Sequence, residues 1–214
     1  QYAWVTLIEN SENVGFASAN NQAACLAQGR YVLLLNSDTE IKPGALAILI
    51  AFLDQHPKAG VVGAQLLNSD GSLQISAHPA PTLSRELWYL LHLDLVYPRA
   101  VYPMAAWPVD RPQRVEILKG ACMMLRHTVL DEIGLLDEDY FMYSEEVDLC
   151  KRVGQAGWEV YWEPRAVIVH HGGRSTQQVP LSMFMHLYRS KILYFRKRHG
   201  LLAALVYKII LMFA

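Results

Sequence analysis

Residues 31–40 have the sequence YVLLLNSDTE, an apolar run that stops abruptly at a cluster of oxygen-bearing side chains. The run is too short for a helix and has polar residues on both sides. It therefore predicts a strand buried on both faces, as in a parallel α/β sheet. Such sheets bind ligands at the carboxyl ends of their strands. Asn36 and Asp38 follow that end directly, so with substrate phosphates they could hold Mg²⁺ or Mn²⁺. The simpler alternative is an Asx-turn, in which the same side chains cap the backbone.

Composition limits the classes of protein that fit. The 214 residues and 24.2 kDa suit one α/β domain, or one domain with a short appendage. A net charge of −1 lacks the basic excess that nucleic-acid binding demands, so we expect no nucleic-acid partner. The three cysteines are widely spaced without a C-x-x-C motif, which predicts neither a disulfide framework nor a zinc site and fits a reducing cytosol.

The start of the chain has no signal-peptide pattern. The first residue is Gln1 rather than Met, so we expect a piece of a longer protein.

Hydrophobic patterning predicts an alternation of strands and helices up to residue 76. Pro43 is expected as a first helical residue, and the sequence NSDG at 68–71 is a strong hairpin signal that pairs 64–67 with 73–76. The predicted elements are a strand at 4–8, a helix at 16–28 closed by Gly29, a strand at 31–35, a helix at 45–53 and a strand at 60–65.

Residues 77–114 differ in character, because six prolines interrupt them around one predicted helix at 83–95. Regular parallel sheet cannot continue through so many prolines. We expect an irregular insertion or flap over one face of the domain.

A strand is predicted at 115–126, and Gly120 interrupts it. A glycine there indicates a bulge or the close approach of a ligand, or else a packing need against a neighbouring element. A short helix at 127–133 follows, closed by Gly134.

A second informative stretch begins at Ser144, which is a favourable N-cap for a helix running from Glu145 to about Ala156. Glu145 and Glu146 then lie in the first turn, where the helix dipole favours ionised carboxylates, and either could take a proton from a hydroxyl. Acidic residues are also simply common at helix starts, and for these residues in isolation that is the simpler explanation.

Two further strands are predicted at 158–162 and 166–169, and the second ends at His170. A neutral histidine can ligate a divalent ion through a ring nitrogen. A strand-end aspartate, an acidic helix start and a strand-end histidine together form the set needed for metal-held phosphate chemistry beside a base.

In this order the motifs resemble those of the inverting family 2 glycosyltransferases of GT-A fold, and within them the bacterial rhamnosyltransferase-like enzymes of surface-polysaccharide assembly. The resemblance spans nearly all of residues 4–198. It rests on ENxxNxGFxxxN at 9–20, LLLNSD at 33–38, KGA at 119–121, FxxxEExDLxxR at 141–152 and HHGGxS at 170–175. The fold it implies is a mostly parallel α/β sheet flanked by helices.

The resemblance also implies roles for single residues. Asp38 would hold the divalent metal on the donor diphosphate, with Asn36 replacing the first acid of the family's D-x-D pattern, and His170 would complete the site. Glu146 would deprotonate the acceptor hydroxyl, with Glu145 as a neighbour able to share that role. Asn13, Gly15 and Asn20 would lie near the donor nucleotide together with Asn36 and Asp38, while Gly120, Ala121 and Asp148 would border the sugar and the acceptor.

One expected part of the family pattern is missing. Members begin with an apolar strand and a short polar loop, followed by a strand whose final acid grips the nucleotide base, and nothing precedes Gln1 here. We therefore expect a fragment of a longer transferase that binds donor nucleotide poorly.

The C-terminal segment at 181–214 forms a separate predicted unit after a domain at 1–180. Residues 186–199 have the pattern of a basic amphipathic helix, and 201–214 are almost wholly apolar. These fourteen residues, with Lys208 as their one charge, are fewer than the roughly 20 apolar residues that span a bilayer, so an interfacial anchor or the start of a spanning helix is predicted. The alternative is an ordinary amphipathic helix packed on the domain.

Three functional classes follow. The first is an inverting glycosyltransferase at the cytoplasmic face of a bacterial membrane, which uses a nucleotide sugar, a divalent metal and a saccharide or lipid-linked acceptor. For it the resemblance suggests deoxythymidine-diphosphate rhamnose as donor. The second is a non-catalytic binding or scaffold module of the same fold. The third is a nucleotidyltransferase, but the glycine-rich basic phosphate loop expected near its start is not visible.

Overall fold

The computed structural model describes residues 4–172 and 180–212 as strands and helices built around a mixed sheet. The strands are β1 Tyr31–Leu35, β2 Thr39–Ile41, β3 Ala59–Leu67, β4 Leu73–Gln74, β5 Ala77–His78, β6 Gln113–Val115, β7 Ile117–Leu118, β8 Cys122–Arg126 and β9 Glu159–His170. The helices are α1 Phe16–Ala24, α2 Ala45–Gln55, α3 Leu83–Leu90, α4 His127–Ile133, α5 Glu145–Gln155, α6 Pro180–His199 and α7 Leu201–Met212.

The sheet has the strand order β1-β8-β3-β9-β2, with β4 added to β3 and β6 added to β9. Only β3 and β9 run parallel among the described pairs, and β5 and β7 form a separate ribbon. The α/β class is confirmed, but the sheet is mixed rather than mostly parallel. The reason is that β8 enters between β1 and β3 and runs antiparallel to both.

Strand β1 itself corrects one expectation. Val32 and Leu34 are buried, whereas the alternate side chains are only half-buried, so the strand is not buried on both faces. Strand β3 at the centre of the sheet and its neighbour β8 are longer strands with consecutive buried residues on both faces. The alternate residues of β3 contribute to two apolar clusters, one beneath α2 and one beneath α5, α6 and α7.

The strand predicted at 4–8 is wrong, because these residues pair with no described strand and Leu7 is 79% exposed. The β-α-β unit that this strand would have started is therefore absent from the described chain. Helix α1 ends at Ala24, before the predicted Gln28, in a turn.

Several other elements have boundaries that differ from the predicted ones. The helix predicted at 83–95 stops at Leu90, since His92 takes a left-handed conformation before a 3₁₀ turn at Leu93–Leu95. Pro43 precedes the N-cap Gly44 instead of starting α2. The hairpin at 68–71 is confirmed, with pairing limited to Leu66–Gln74 and Leu67–Leu73.

The strands predicted at 158–162 and 166–169 are one strand, β9, with a shift of register opposite Ala64 and Gln65. Within that irregularity, Glu163 is fully buried and accepts hydrogen bonds from the backbone and guanidinium of Arg165. The local pairing of these two side chains keeps the strand continuous through Pro164.

The C-terminal segment is helical as predicted, and it packs on the domain. Tyr194, Phe195 and Tyr207 are buried in the core. The cations of α6 pair with acids of the domain, namely Lys191 with Glu86 at 2.9 Å, Lys197 with Asp137 at 2.6 Å and Arg198 with Asp148 at 2.5 Å. Among the described residues, no helix has the length and apolarity to cross a bilayer. The proposed boundary at residue 180 stays a prediction.

Glu86 joins the insertion to both C-terminal helices. Its carboxylate is 8% exposed and accepts hydrogen bonds from Lys191 Nζ at 2.9 Å and from the Tyr207 hydroxyl at 3.0 Å. The buried Glu86 side chain thus links helices α3, α6 and α7.

Replacing Glu86 by alanine should lower the free energy of unfolding by about 2–3 kcal/mol, because Lys191 and Tyr207 lose a buried partner. Urea unfolding followed by circular dichroism measures this change. The exposed Glu12→Gln serves as the control and should stay within about 0.5 kcal/mol of the wild type. Equal stability of Glu86→Ala and the control would show that Glu86 does not hold these helices.

Candidate active site

The end of β1 meets the end of β9. The backbone N–H of Asn36 donates to the carbonyl of Ala121 at 3.0 Å, which extends the β1–β8 ladder by one bond. Strand β2 pairs Thr39 with His170, so the residues on either side of Ser37 are brought beside the histidine. Asp38 Oδ1 lies 3.3 Å from His170 Nε2, and Asn36 Nδ2 lies at the same distance from that nitrogen. The structure thus assembles Asn36, Asp38 and His170 as one cluster.

The turn at 36–39 is not a capping turn. The Thr39 hydroxyl donates to the Asn36 carbonyl at 2.7 Å, and the His171 N–H donates to the Asp38 carbonyl at 2.9 Å, so the backbone is held by other groups. The next element is strand β2 and not a helix. The side chains of Asn36 and Asp38 are therefore available to a ligand.

The cluster suits a divalent cation. Burial lowers the pKa of His170, which keeps its ring neutral as a metal ligand must be. Asn36 Oδ1 is buried, and within the part of the chain that the structure describes it has no hydrogen-bond partner. No group of three or more His, Cys, Asp or Glu side chains among the described residues could hold a metal by itself. The protein would supply only a few ligands, and the remainder would come from phosphates or water, as is usual for Mg²⁺.

The start of α5 carries the two candidate bases. Tyr143 and Ser144 both have left-handed backbone conformations, with φ of 68° and 69°, and these cost energy for residues with side chains. Ser144 is the N-cap residue of α5 as predicted, but its side chain makes no cap hydrogen bond. The sharp turn buries most of Glu145 and Glu146, and one oxygen of each carboxyl group is buried without a partner among the described residues.

The carboxyl groups of Glu145 and Glu146 influence each other's ionisation. Burial raises the pKa of both carboxyl groups, and the neighbouring Glu146 charge raises that of Glu145 further. The hydrogen bond from protonated Glu145 acts in the opposite direction on Glu146 and lowers its pKa. The pKa of Glu146 nevertheless stays raised overall, because the hydrogen bond from Glu145 only partly offsets the effect of burial.

The segment between β7 and β8 connects the two clusters. A Cβ placed on Gly120 would lie 3.7 Å from the Glu146 Cβ and 3.8 Å from the Phe16 ring, so Gly120 borders the base. Ala121 borders Asn36 through the backbone bond described above. The Lys119 charge lowers the pKa of both Glu146 and His170, which means that this ammonium lies near both clusters. Lys119 received no role from the sequence.

Four predicted site residues make contacts within the fold, and the placement of Asn13, Gly15 and Asn20 near the donor nucleotide stays a prediction. Asn13 Oδ1 accepts from the Gly15 N–H at 3.0 Å, and Asn20 Nδ2 donates to the Phe16 carbonyl at 2.8 Å. Gly15 has a φ of +86°, and a Cβ there would come within 2.6 Å of the Phe141 carbonyl oxygen, so only glycine fits.

Asp148 is the fourth of these residues. It is completely buried and is bound by Arg152 and Arg198, which leaves it no free oxygen for an acceptor. The structure thus gives Asp148 a packing role instead of a place at the sugar pocket. The motif residues Gly173 and Ser175 lie outside the described residues.

A cavity of about 410 Å³ opens beside Glu146, between the insertion and α6. Its lining includes His78 and Tyr89 from the insertion side, Tyr143, and Tyr188 and Lys191 from α6. The volume and the aromatic walls are typical of a small-ligand site. Sequence reasoning predicted the flap but none of these lining residues, because they come from segments without a shared motif.

The glutamate pair predicts a specific pH dependence of stability. An unfolded glutamate has a pKa of about 4.3, so above that pH the folded chain binds more protons than the unfolded one. The stabilisation from the protonated carboxyl group is complete below that pH and is lost as the pH rises through the raised pKa. Glu145→Gln mimics the protonated acid. Its free energy of unfolding should therefore exceed that of the wild type by a larger amount at pH 8 than at pH 5.

Urea unfolding at both pH values measures the gain, which can reach about 1.4 kcal/mol per pH unit. The exposed Glu12→Gln should show no such trend. A stability difference between Glu145→Gln and the wild type that is equal at pH 5 and pH 8 would contradict the raised pKa of Glu145.

The sequence of this chain matches a known family and several relatives. The family model described as "Glycosyl transferase family 2" matches residues 1–134. The N-acetylglucosaminyl-diphospho-decaprenol L-rhamnosyltransferase of Mycobacterium tuberculosis is 31% identical over 216 residues, which cover 94% of this chain and 69% of that protein. Rhamnosyltransferase WbbL of Escherichia coli K12 is 26% identical over 195 residues, covering 84% of this chain and 72% of its own.

Solved structures show the same fold. The mannosyltransferase PcManGT of Pyrobaculum calidifontis, in complex with GDP-Man and Mn²⁺, superposes with a TM-score of 0.56 at 16% identity over 90% of this chain and 46% of its own. GalNAc-T7 with UDP, GalNAc and Mn²⁺ gives a TM-score of 0.55 at 16% identity over 75% of this chain and 31% of its own. The family resemblance drawn from the motifs is confirmed: this chain belongs to glycosyltransferase family 2 and is a glycosyltransferase of GT-A fold.

Proposed function

We propose that this chain transfers a sugar, with rhamnose as the first candidate, from a nucleoside-diphosphate donor to a saccharide on a lipid-linked acceptor, with inversion. The observation that carries the proposal is the position of Glu146. It lies on the wall of a cavity and beside Gly120, and the segment containing Gly120 also borders the Asp38–His170 cluster. The mycobacterial relative is named for rhamnosyl transfer to a diphospho-decaprenol acceptor, which supports the choice of sugar and acceptor. Surface-polysaccharide assembly in bacteria is the pathway class that fits.

The proposed reaction is a single displacement. The acceptor hydroxyl oxygen forms a bond to the anomeric carbon while the bond from that carbon to the diphosphate oxygen breaks, and the electron pair leaves with the nucleoside diphosphate. Glu146 takes the hydroxyl proton as general base, and the hydrogen bond from Glu145 favours the ionised form of Glu146 against the opposing effect of burial. With no covalent intermediate, the configuration at the anomeric carbon inverts.

The side chains of Asp38 and His170, together with the side-chain oxygen Oδ1 of Asn36, would hold the divalent metal. Mn²⁺ and Mg²⁺ are the candidates. When bound, such an ion offsets negative charge on the departing diphosphate. The two solved structures of the same fold contain Mn²⁺, which supports this ion as the first to test.

The cavity between the insertion and α6 is the proposed acceptor site. Its tyrosines offer flat faces for a sugar ring, and Lys191 offers a cation near the edge. Glu86 already binds Lys191, so the site is formed in advance by the packing of α3 on α6.

Glu146→Gln should lower the transfer rate by about 10²-fold or more, which is the usual contribution of a general base. Release of deoxythymidine diphosphate from its rhamnose donor, with polyprenyl-diphospho-N-acetylglucosamine as acceptor, measures the rate. The exposed Glu12→Gln should retain the wild-type rate, and donor binding by Glu146→Gln should be unchanged. Wild-type turnover by Glu146→Gln would refute the assigned base, and a wild type with no transfer would favour the non-catalytic scaffold.

We also propose a peripheral position at the cytoplasmic face of the membrane. The outward face of α7 is apolar, with Leu201, Leu202 and Ile209 exposed, and the cations Arg196 and Lys208 are exposed nearby in sequence. An apolar face flanked by cations is typical of helices that lie in the interface of an anionic bilayer. A lipid-linked acceptor would be reached from this position.

The double variant Leu202→Glu/Ile209→Glu should lose co-sedimentation with vesicles of phosphatidylglycerol and phosphatidylethanolamine, because two charges then enter the apolar face. Leu26→Glu is the matched control, since Leu26 is an equally exposed apolar residue just after α1. Binding that survives in the double variant, or that fails equally in the control, would contradict a membrane contact through α7.

A further inference from the structure

We infer that Gln74 is a positioning residue for the proposed metal site: it fixes the ring proton of His170 on Nδ1, and so leaves Nε2 as the lone pair that faces Asp38. This inference rests on the proposed function, because it concerns how the metal cluster is prepared. Gln74 lies on β4, and sequence analysis predicted the hairpin that carries it without giving the side chain a role.

The orientation of the Gln74 amide is fixed by two acceptors. Its Nε2 donates to the backbone carbonyl of His170 at 3.2 Å and to Asn68 Oδ1 at 2.8 Å. A backbone carbonyl can only accept, so the nitrogen of the amide must face it. Asn68 is itself held by donating to the Ser72 hydroxyl at 2.9 Å.

The side-chain oxygen of Gln74 then determines which nitrogen of the His170 ring carries the proton. Gln74 Oε1 lies 2.6 Å from His170 Nδ1, and since this oxygen can only accept, Nδ1 must carry the proton. In a neutral ring Nε2 is then unprotonated. It faces Asp38 Oδ1 and Asn36 Nδ2, each at 3.3 Å.

The lone pair on His170 Nε2 thus faces the Asp38 carboxylate with no histidine proton between them, and it accepts from the Asn36 side-chain N–H. Such an arrangement favours a cation, and metal-bound histidines commonly donate their other ring N–H to a fixed oxygen. Gln74 supplies that oxygen from a hairpin that contributes no proposed metal ligand of its own.

Gln74→Leu removes the oxygen while keeping a side chain of similar size. We expect Mn²⁺ binding in the presence of deoxythymidine diphosphate to weaken by about 10- to 100-fold, the usual effect of losing such a partner. Electron paramagnetic resonance of free Mn²⁺ measures it. Gln55→Leu is the matched control, because it makes the same substitution at an exposed position at the end of α2, and it should bind as the wild type does. Gln74→Glu keeps an acceptor oxygen for Nδ1 but loses the donor to the His170 carbonyl and Asn68 Oδ1, and it should restore part of the affinity.

A second measurement needs neither metal nor activity. Nitrogen-15 spectra of labelled histidine report which ring nitrogen carries the proton, and His170→Gln identifies the signal to follow. The wild type should show the proton on Nδ1, and Gln74→Leu should lose that preference. An unchanged tautomer in Gln74→Leu would overturn the inference.

Asp38→Ala separates the inference from the function on which it rests. If Asp38→Ala binds Mn²⁺ like the wild type, the proposed metal site itself fails. If Asp38→Ala loses binding while Gln74→Leu keeps wild-type affinity, the metal site stands and the positioning role of Gln74 is refuted.

Discussion

Asp148 is completely buried and binds two arginines, Arg152 from its own helix and Arg198 from α6. A buried carboxylate at that depth costs several kcal/mol unless its oxygens are paired, so the docking of α6 through Arg198 stabilises the domain. Arg152 also donates to the carbonyls of residues 133–135, which fixes the loop before α5. Because Asp148 lies in the first turn of α5, this cluster fixes the position of Glu146 two residues earlier. The geometry of the proposed base therefore depends on a helix more than 30 residues further along the chain.

The same pairing explains why the C-terminal segment was hard to interpret. Its basic residues suggest a membrane surface when the sequence is considered alone, yet Lys191, Lys197 and Arg198 are used internally against Glu86, Asp137 and Asp148. These partners lie 105, 60 and 50 residues away, where no periodicity can indicate them. The surface left to contact a bilayer is the apolar face of α7. The membrane proposal therefore rests on the hydrophobic pattern more than on the charge pattern.

Local signals account for what the sequence predicted well. Asp38 and His170 were found because each follows or ends an apolar run, and the acidic start of α5 was found from its position after a turn. Pairing between distant segments was not accessible: β8 runs antiparallel to β1, and residues 4–8 join no described strand. Gln74 was missed for the same reason, since its partner His170 lies 96 residues away and a two-residue strand has no pattern of its own.

The charge of the site suggests how a metal would arrive. The family pattern has two acids where this chain has Asn36 and Asp38, so the cluster holds one negative charge, and the nearby Lys119 opposes it. A nearly neutral site of this kind attracts a free divalent cation weakly. A nucleoside diphosphate brings the missing negative charge and further oxygen ligands, which is how Mg²⁺ sites with few protein carboxylates are usually completed. We therefore expect metal and donor to bind together, with Asp38 and His170 orienting an ion that the diphosphate largely holds.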